Sequence, residues 1–293
     1  MLRPGRWLCA ALLATLFAAS AAAAPADRHA LWAIHGASNT VYLLGSVHLL
    51  PRQDSALPDV MMDAYRHADA LLMEVDPVDL EAQVARPDVT QLLLLPAGQT
   101  LDGVIGPRLY TEVQQQAVAL GLGKDGLKFA QPWYAANALE LGVLTRTGFD
   151  TDAGVERQLA RLAAQDSKPI YALETVGQQL GYFAALSPDH QRLLLRDTLR
   201  DLSATVKDAR ATVQAWKSGD VTAMERDLRR NGRRNSALQP LLVDERNRLW
   251  LPQILELLDD GRDYLVVVGM LHMVGKTGLL QLLKQHGYDA RQQ

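Results

Sequence analysis

Residues 42–48 have the sequence Tyr-Leu-Leu-Gly-Ser-Val-His, and residues 265–272 repeat the pattern as Leu-Val-Val-Val-Gly-Met-Leu-His near the other end of the chain. Each is a short apolar run that ends in Gly-x-x-His. Such a run closed by glycine is typical of a strand buried on both faces, and the glycine lets the backbone turn sharply or approach a neighbour. Ligands of open α/β sheets bind beyond the carboxyl ends of the strands. His48 and His272 are therefore predicted to belong to one site assembled across a sheet.

The other apolar runs predict an α/β fold with a central mixed, mostly parallel sheet that is covered by helices. Residues 31–37 and 40–44 are joined by Ser38-Asn39, which predicts a hairpin. Runs at residues 70–75 and 169–173 predict two further buried strands, each with a glutamate at its carboxyl end.

The middle of the chain is predicted to be a large helical section. Asp152 is expected to cap one of its helices, and helical periodicity dominates residues 176–247, with a break expected at 231–232 among others. Pro252 is expected to start or kink the helix around it. Residues 288–290 are expected to begin a last short strand after the final helix.

Length and composition are typical of a folded protein with a targeting signal at its amino end. The chain has 293 residues, 48% hydrophobic and 22% charged. Residues 1–24 have the pattern of a secretory signal, with Arg3 and Arg6 before an apolar centre and an alanine-rich end. An uncleaved anchor is the alternative, because residues 7–24 are mostly apolar. We expect a signal peptide at 1–24, a single α/β domain at 25–293, a periplasmic or secreted location, and no stable membrane insertion after cleavage.

Charge and cysteine content exclude several classes of protein. Loss of residues 1–24 would remove two arginines and no acids, which changes the net charge from −3 to −5. With no long basic block in addition, nucleic-acid binding is not expected. Cys9, the single cysteine, lies inside the predicted signal, so neither a disulfide nor a thiolate mechanism is expected. The sequence also lacks the Gly-x-Ser-x-Gly and His-Glu-x-x-His motifs of common serine hydrolases and zincins.

Histidines and glutamates at strand ends are the candidates for chemistry. Of the seven histidines, only His48 and His272 follow a buried strand and a glycine. Imidazole is a common metal ligand and general base. Glu74 and Glu174 also follow strands, so one of them could complete a His/His/Glu metal set while the other orients or activates water. Zinc, manganese, cobalt and iron all accept such ligands. The simpler interpretation is that the histidines cap local backbone and the glutamates pair with loop arginines.

Two other polar segments have competing interpretations. Arg246-Asn247 follows two acidic residues, so the pair could stabilise an oxyanion, although spacing alone favours a solvated helix start. Gly275-Lys276-Thr277 has some features of a phosphate-binding loop, but the earlier glycine of that motif would fall on Met270. We therefore do not expect a nucleotide site.

An ordered set of motifs across residues 31–290 resembles the TraB/PrgY/GumN family, to which the animal TIKI proteins also belong. The matching segments are Tyr42 to Pro51, Ala68 to Asp76, Gln131-Pro132-Trp133, Leu173-Glu174-Thr175 with Gln179-Leu180, Ala215 to Asp220, Arg246-Asn247, and Val268 to Gly275. The order and spacing of these segments make the resemblance specific. It implies a fold similar to that of the erythromycin-esterase and ChaN-like α/β proteins, with an active centre on the paired Gly-x-x-His motifs.

The resemblance also implies an activity, because animal members are metal-dependent proteases that use manganese or cobalt. By motif, His48, His272 and Glu74 would take the metal or catalytic roles. Glu174, Arg246 and Asn247 would take supporting catalytic roles. The sequence thus predicts an exported hydrolase that depends on a divalent metal (Mn, Co or Zn) and acts on a peptide or protein substrate. The alternatives are a non-catalytic periplasmic binder that sequesters a peptide or an iron or haem compound, and a structural envelope protein.

Overall fold

The strands of the structure come from both ends of the chain, as the apolar runs predict. The structure is a computed structural model that describes residues 28–78, 80–234 and 239–293, so the predicted signal at 1–24 lies outside the described residues. The strands in chain order are β1 (Leu31–His35), β2 (Thr40–Ser46), β3 (Leu50–Pro51), β4 (Ala70–Met73), β5 (Phe149–Asp150), β6 (Ile170–Ala172), β7 (Tyr264–Gly269) and β8 (Arg291–Gln292).

One six-stranded sheet carries the fold, and its strand order is β6-β4-β7-β2-β1-β8. The first four of these strands are parallel. Strand β1 is antiparallel to both of its neighbours, and β3 pairs with β5 in a separate small antiparallel sheet. The predicted α/β class, the mixed and mostly parallel sheet and the first hairpin are confirmed.

Helices cover the sheet and fill the middle of the chain. In chain order they are α1 (Asp59–His67), α2 (Leu80–Ala85), α3 (Pro87–Leu93), α4 (Leu101–Ile105), α5 (Pro107–Ala119), α6 (Pro132–Arg146), α7 (Val155–Asp166), α8 (Val176–Ala184), α9 (Pro188–Asp201), α10 (Thr205–Ser218), α11 (Val221–Arg234), α12 (Arg246–Leu257) and α13 (Leu279–Gln285). Short 3₁₀ turns lie at Arg52–Asp54, Leu202–Ala204 and Met270–His272, and a π-helical turn, Pro240–Glu245, leads into α12. In the part of the chain that the structure describes, none of these helices has the length and apolar character needed to span a membrane.

The two Gly-x-x-His runs lie side by side. Strands β2 and β7 are paired in parallel, with Gly45 opposite Val268 and Ser46 opposite Gly269. A side chain at Gly45 would crowd the next turn, because a Cβ atom there would lie 3.1 Å from the Cα atom of Met270. The indole N–H of Trp216 in α10 donates to the Gly45 carbonyl at 2.8 Å, which fixes the end of β2 to the helical layer. The glycine thus permits the close packing that brings both strand ends together.

Two apolar clusters stabilise this arrangement. The larger surrounds the central strands, where Leu43 and Leu44 of β2 and residues 265–268 of β7 are fully buried. Burial of each such aliphatic side chain contributes roughly 1.5–3 kcal/mol. The smaller cluster lies between helices of the middle section and includes Trp133 of α6 and Leu195 of α9. Continuous burial on both faces explains why the central strands have uninterrupted apolar runs.

Several local predictions need correction. The residue that precedes α7 is Gly154, so Asp152 does not cap that helix. Helix α11 continues through residues 231–232, since one glycine inside a helix costs only about 1 kcal/mol.

The predictions near the carboxyl end need correction too. Pro252 lies inside α12 and does not start it. The last strand is Arg291–Gln292, later than the predicted 288–290, because the N–H of Tyr288 closes the end of α13 by donating to the Leu283 carbonyl. This strand pairs antiparallel with β1 and makes no parallel unit with β7.

Candidate functional site

Four neighbouring parallel strands each lead into one of the candidate side chains. His48 follows β2, His272 follows β7, Glu74 follows β4 and Glu174 follows β6. Because these strands are adjacent and parallel, their carboxyl ends meet at one edge of the sheet. The structure therefore brings together side chains that lie more than two hundred residues apart in the sequence.

Gly269 is the point around which three of these side chains are arranged. A Cβ atom at this position would lie 3.3 Å from Oε1 of Glu74, 3.7 Å from Cδ2 of His272 and 3.8 Å from Nε2 of His48. The Gly269 N–H also donates to Oε1 of Glu74 at 2.7 Å. The absence of a side chain at Gly269 thus leaves room for the two imidazoles and the carboxylate.

Arg246 joins the two glutamates in a buried ion cluster. Its Nη2 atom donates to Oε2 of Glu74 and, at 2.7 Å, to Oε1 of Glu174, while its Nε atom donates to Oε1 of Glu174 at 3.1 Å. The remaining donor, Nη1, is 2.9 Å from the Leu242 carbonyl and 3.2 Å from Nε2 of His272. Gln179 of α8 donates to both carboxylates, at 2.9 and 3.2 Å. All the nitrogens of the guanidinium are therefore already engaged.

Asn247 sets the protonation of His272. Its amide nitrogen donates to the carbonyls of His272 and Thr277 at 3.1 and 2.8 Å, so its oxygen must face the imidazole. That oxygen lies 2.7 Å from Nδ1 of His272 and accepts only from a protonated nitrogen. Nε2 is then the unprotonated nitrogen, and it lies 3.9 Å from Oε1 of Glu74. The Trp250 ring packs against the imidazole with its centroid 4.6 Å away.

Glu156, in the first turn of α7, fixes the orientation of the His48 ring. Its Oε1 atom is 2.7 Å from Nδ1 of His48 and also accepts the hydroxyl of Ser46. Helix α7 reaches this position because Gly154 packs on the His48 carbonyl so closely that no Cβ atom would fit. Nε2 of His48 is thereby left to face the Gly269 position. Sequence reasoning missed Glu156 entirely.

The electrostatic environments of the two imidazoles differ. The Glu156 carboxylate raises the pKa of His48 to about 9. Burial lowers the pKa of His272 to about 3, so this side chain is neutral at pH 7. Both directions follow from the surroundings, since His48 has a carboxylate partner and a side chain that is 63% exposed, whereas His272 is buried.

The two glutamates also differ. Burial alone would raise the pKa of Glu74, but the positive charges of His272, Arg246 and His48 and the Gly269 N–H outweigh it and lower that pKa to about 2. Since His272 is neutral at pH 7, the cations that keep Glu74 ionised there are Arg246, which contacts it, and His48. Burial raises the pKa of Glu174, and Arg246 opposes this only in part. Glu174 is thus the carboxylate with the greater affinity for a proton.

A cavity of about 540 Å³ opens beside the cluster. Polar side chains form one end of it, and apolar side chains from α8, α11, the π-helical turn and the turn after β7 form its wall. The polar lining residues are Ser46, His48, Glu74, Asn137, Gln179, Thr212, Gln239, Arg246 and His272, and the apolar ones include Leu180, Phe183, Leu228, Leu242, Val243, Met270 and Leu271. The other histidines of the described chain do not line this cavity.

The side chains of the site are of the types that bind divalent metals, but they are not arranged as a complete set of metal ligands. Two imidazoles have Nδ1 bound to an oxygen acceptor and Nε2 turned toward one carboxylate, which is the arrangement usual for histidine ligands. Among the residues that the structure describes, however, no three His, Cys, Asp or Glu side chains are grouped closely enough to hold an ion. Nη1 of Arg246 is 3.2 Å from Nε2 of His272, the atom through which His272 would bind an ion. Metal binding by His48, His272 and Glu74 stays a prediction.

The structure also settles how the other polar segments are placed. The solvated helix start that spacing favoured for Arg246-Asn247 is wrong, because both residues are buried, Asn247 completely. Their helix begins beneath the strand ends instead of at the surface. Thr277 does not hold a phosphate-binding position at a helix start, since its hydroxyl donates to Asp244 at 2.6 Å and its carbonyl accepts from Asn247.

A mostly parallel sheet with paired imidazoles and carboxylates at the carboxyl ends of its parallel strands defines the class: an α/β protein with a candidate histidine–glutamate active site. Comparison with known proteins gives the particular family. The sequence profile of the TraB/PrgY/gumN family matches residues 30–292, and the chain belongs to that family.

Two related bacterial proteins match most of the chain. The chain is 26% identical over 243 residues to the uncharacterized protein YbaP of Escherichia coli strain K12, which covers 83% of this chain and 87% of that protein. YbaP of Shigella flexneri matches to the same extent. No solved structure matches the chain.

Proposed function

We propose that this protein is an exported hydrolase that depends on a divalent metal and cleaves peptide bonds. The observation that carries the proposal is the meeting of His48 Nε2, His272 and Glu74 Oε1 around Gly269, within 4 Å of one point. Membership of the TraB/PrgY/gumN family agrees with an active centre at these motifs.

His48, His272 and Glu74 would hold the ion. The hydrogen bonds from Nδ1 to Glu156 and Asn247 orient the two rings and leave Nε2 of each as the donor atom. A metal bound there supplies a water of lowered pKa and polarises a carbonyl oxygen. To admit it, Arg246 has to give up its 3.2 Å contact with His272, and His48, whose pKa is about 9, has to lose the proton on Nε2.

The remaining residues handle protons and charge. Glu174 is the proposed proton acceptor, since burial raises its pKa above the ordinary value of a carboxyl group and so increases its affinity for a proton. Arg246 holds Glu174 and Glu74 in fixed positions and keeps Glu74 ionised. If Arg246 moves away from His272, its freed Nη1 is the candidate to stabilise an oxyanion. Asn247 supports the site through His272 instead, because its amide hydrogens are both bound to the carbonyls of His272 and Thr277. The apolar wall of the cavity limits the access of bulk water to these groups.

One observation favours the alternative function, a binder that sequesters a peptide or an iron or haem compound. The N–H groups of Arg246 and the oxygens of Glu74 all have protein partners, so the cluster is stable without a substrate or an ion. A protein that only encloses a ligand in the neighbouring cavity needs no reactive group to be free.

The test is to purify the protein and measure its bound metal and its cleavage of a peptide mixture with Mn²⁺, Co²⁺ or Zn²⁺. The variants His48→Ala and His272→Ala are compared with His190→Ala, which changes an exposed histidine of α9 away from the cavity. The proposal expects turnover that both site variants lose and the control keeps. Metal or peptide binding without turnover under all conditions would establish the binder, and wild-type behaviour in both site variants would indicate a structural role.

A further inference from the structure

The cavity beside the cluster has two chemically different ends. One end holds the two imidazoles and Glu74, and the rest is lined mainly by aliphatic and aromatic side chains from four separate elements, with a few uncharged polar side chains among them. Leu180 and Phe183 lie one turn apart on α8, and Leu228 faces them from α11. A pocket of this size and composition matches the range of roughly 300–1,000 Å³ typical of sites for small organic ligands.

The aromatic part of the wall is held in place from behind. The ring of Phe183 stacks on that of Trp133 with centroids 5.0 Å apart and planes 20° from parallel. Trp133 is itself buried in the smaller apolar cluster. Leu228 is similarly supported, because it packs against the backbone of Gly275. The wall therefore presents a shaped apolar surface, since its members are fixed by neighbours that do not line the cavity.

The charges at the polar end are compensated within the protein. Arg246 is the one lysine or arginine among the described residues that line the cavity, and its donors are engaged by Glu74, Glu174 and Leu242. His48 is paired with Glu156 at 2.7 Å. Both cations of this end, Arg246 and His48, are thus already paired with carboxylates of the protein. Because the three carboxylates Glu74, Glu174 and Glu156 outnumber these two cations, an acidic ligand would be repelled.

We propose that this cavity binds a bulky, uncharged apolar side chain of a peptide, such as leucine, methionine or phenylalanine, and selects against acidic side chains. Placed on the wall formed by Leu180, Phe183 and Leu228, such a side chain brings the adjacent backbone carbonyl to the His48–His272 end. The further statement that the peptide bond of this carbonyl is the one cleaved rests on the proposed hydrolase function. The binding preference itself does not.

Binding is tested first, without any requirement for activity. The fluorescent apolar probe N-phenyl-1-naphthylamine is titrated into the metal-free protein and then displaced with acetyl-Ala-Leu-Ala-amide or acetyl-Ala-Asp-Ala-amide. We expect one saturable probe site and displacement by the leucine peptide at a concentration at least about tenfold lower than by the aspartate peptide, since a few methylene groups in an apolar pocket discriminate by that much.

Two variants locate this preference. Leu180→Asp places a carboxylate on the wall and is expected to weaken probe binding at least about tenfold, while Leu193→Asp, at an exposed position of α9 outside the cavity, is expected to leave it unchanged. Circular dichroism confirms that both variants fold, and the uncharged Leu180→Asn is used if the aspartate variant does not. Equal displacement by the two peptides, or equal effects of the two aspartate variants, would overturn the proposal.

Cleavage separates this proposal from the proposed function. The peptide mixture treated with the Mn²⁺-loaded protein is read by mass spectrometry for the residues that flank each cut. Enrichment of leucine, methionine or phenylalanine beside the cut supports the proposal, and enrichment of aspartate or glutamate there contradicts it. Selective displacement by the leucine peptide with no cleavage leaves the pocket assignment standing and removes the hydrolase.

Discussion

Replacement of Arg246 by methionine tests whether the buried ion cluster holds the strand ends together. The arginine side chain is 6% exposed, and those of Glu74 and Glu174 are 7% and 5% exposed, so none of the three charges is screened by bulk water. The guanidinium carbon of Arg246 lies 4.5 Å from the centroid of the Trp250 ring. Methionine has a similar length and can pack on that ring, but it removes the only cation that contacts both carboxylates within the described site. Two buried negative charges would then face each other.

The expected cost is large for a single substitution. Removal of one partner of a buried ion pair destabilises a protein by about 3–5 kcal/mol, because the other charge remains buried without compensation. Arg229→Met is the matched control, since Arg229 pairs with Glu225 at 3.1 Å on the surface and such a pair contributes only about 0.2–1 kcal/mol. Both free energies of unfolding are measured by urea denaturation at pH 7, with tryptophan fluorescence as the probe.

Two further measurements separate this cause from a simple loss of packing. The addition of Glu74→Gln and Glu174→Gln to Arg246→Met should restore more than half of the lost free energy, because no unpaired charge is left. Lowering the pH from 7 to 5 should also narrow the gap between Arg246→Met and the wild type, since the uncompensated carboxylates would take up protons. A cost below about 1 kcal/mol, or a cost that neither measure reduces, would refute the reasoning.

Three more predictions concern the imidazoles and Gly269. Glu156→Gln should weaken Co²⁺ binding by about 10–100-fold in calorimetric titration, because the carboxylate that orients His48 is lost, whereas Glu225→Gln at the surface should not; equal affinities would contradict the role given to Glu156. Gly269→Ala should abolish metal binding and turnover while lowering the free energy of unfolding by no more than about 1–3 kcal/mol, because its methyl group would lie 3.3 Å from Glu74 among the three candidate ligands. Its control is Gly181→Ala, which meets nothing within 4 Å and should be neutral or slightly stabilising. Unaltered Co²⁺ affinity in Gly269→Ala would count against the site. The metal-free protein should be most stable near pH 6.5. Because the pKa of His272 is about 3 in the folded state and 6.5 in the unfolded state, about 2 kcal/mol of the free energy of unfolding should be lost between pH 7 and 5. Glu74, whose folded-state pKa is about 2, adds a further loss of stability as the pH falls from 4.5 toward 2. His48, with a pKa raised to about 9, contributes stability below pH 6.5 that is lost as the pH rises toward 9, and solvent screening of its exposed side chain makes this contribution small. The midpoints of urea unfolding are measured across this pH range, and midpoints that do not change between pH 5 and 7 would contradict the assignment for His272.

The residues that sequence alone could locate are those fixed by strong local patterns. Strands β2 and β7 are buried on both faces, so their apolar runs are continuous and the histidine beyond each glycine is conspicuous. Glu74 and Glu174 can be located in the same way, because each directly follows an apolar run that predicts a buried strand. What the pattern could not give is the order of the strands, which depends on contacts between distant segments.

Other features of the site have no local signal. Glu156 occupies the first turn of a helix, where acidic residues are common for electrostatic reasons, so nothing in the sequence marks it as the partner of His48. Arg246 follows Asp244 and Glu245, a composition typical of a solvated helix start, and its burial results only from the position of α12 beneath the strand ends. The two-residue strand β8 exists only because β1 offers it an edge.

The strand order also explains why the site joins both ends of the chain. Strand β7 is the last of the four parallel strands in the sequence, yet it lies between β2 and β4 in the sheet. His48 and Glu74, carried by the strands on either side, therefore become neighbours only through the strand that bears Gly269 and His272. Helix α12, which brings Arg246 and Asn247, directly precedes that strand. The carboxyl-terminal segment of residues 246–272 thus supplies the centre of the sheet together with Arg246 and Asn247, while Glu156 of α7 orients His48. Completion of the core and assembly of the site therefore depend on the same segment.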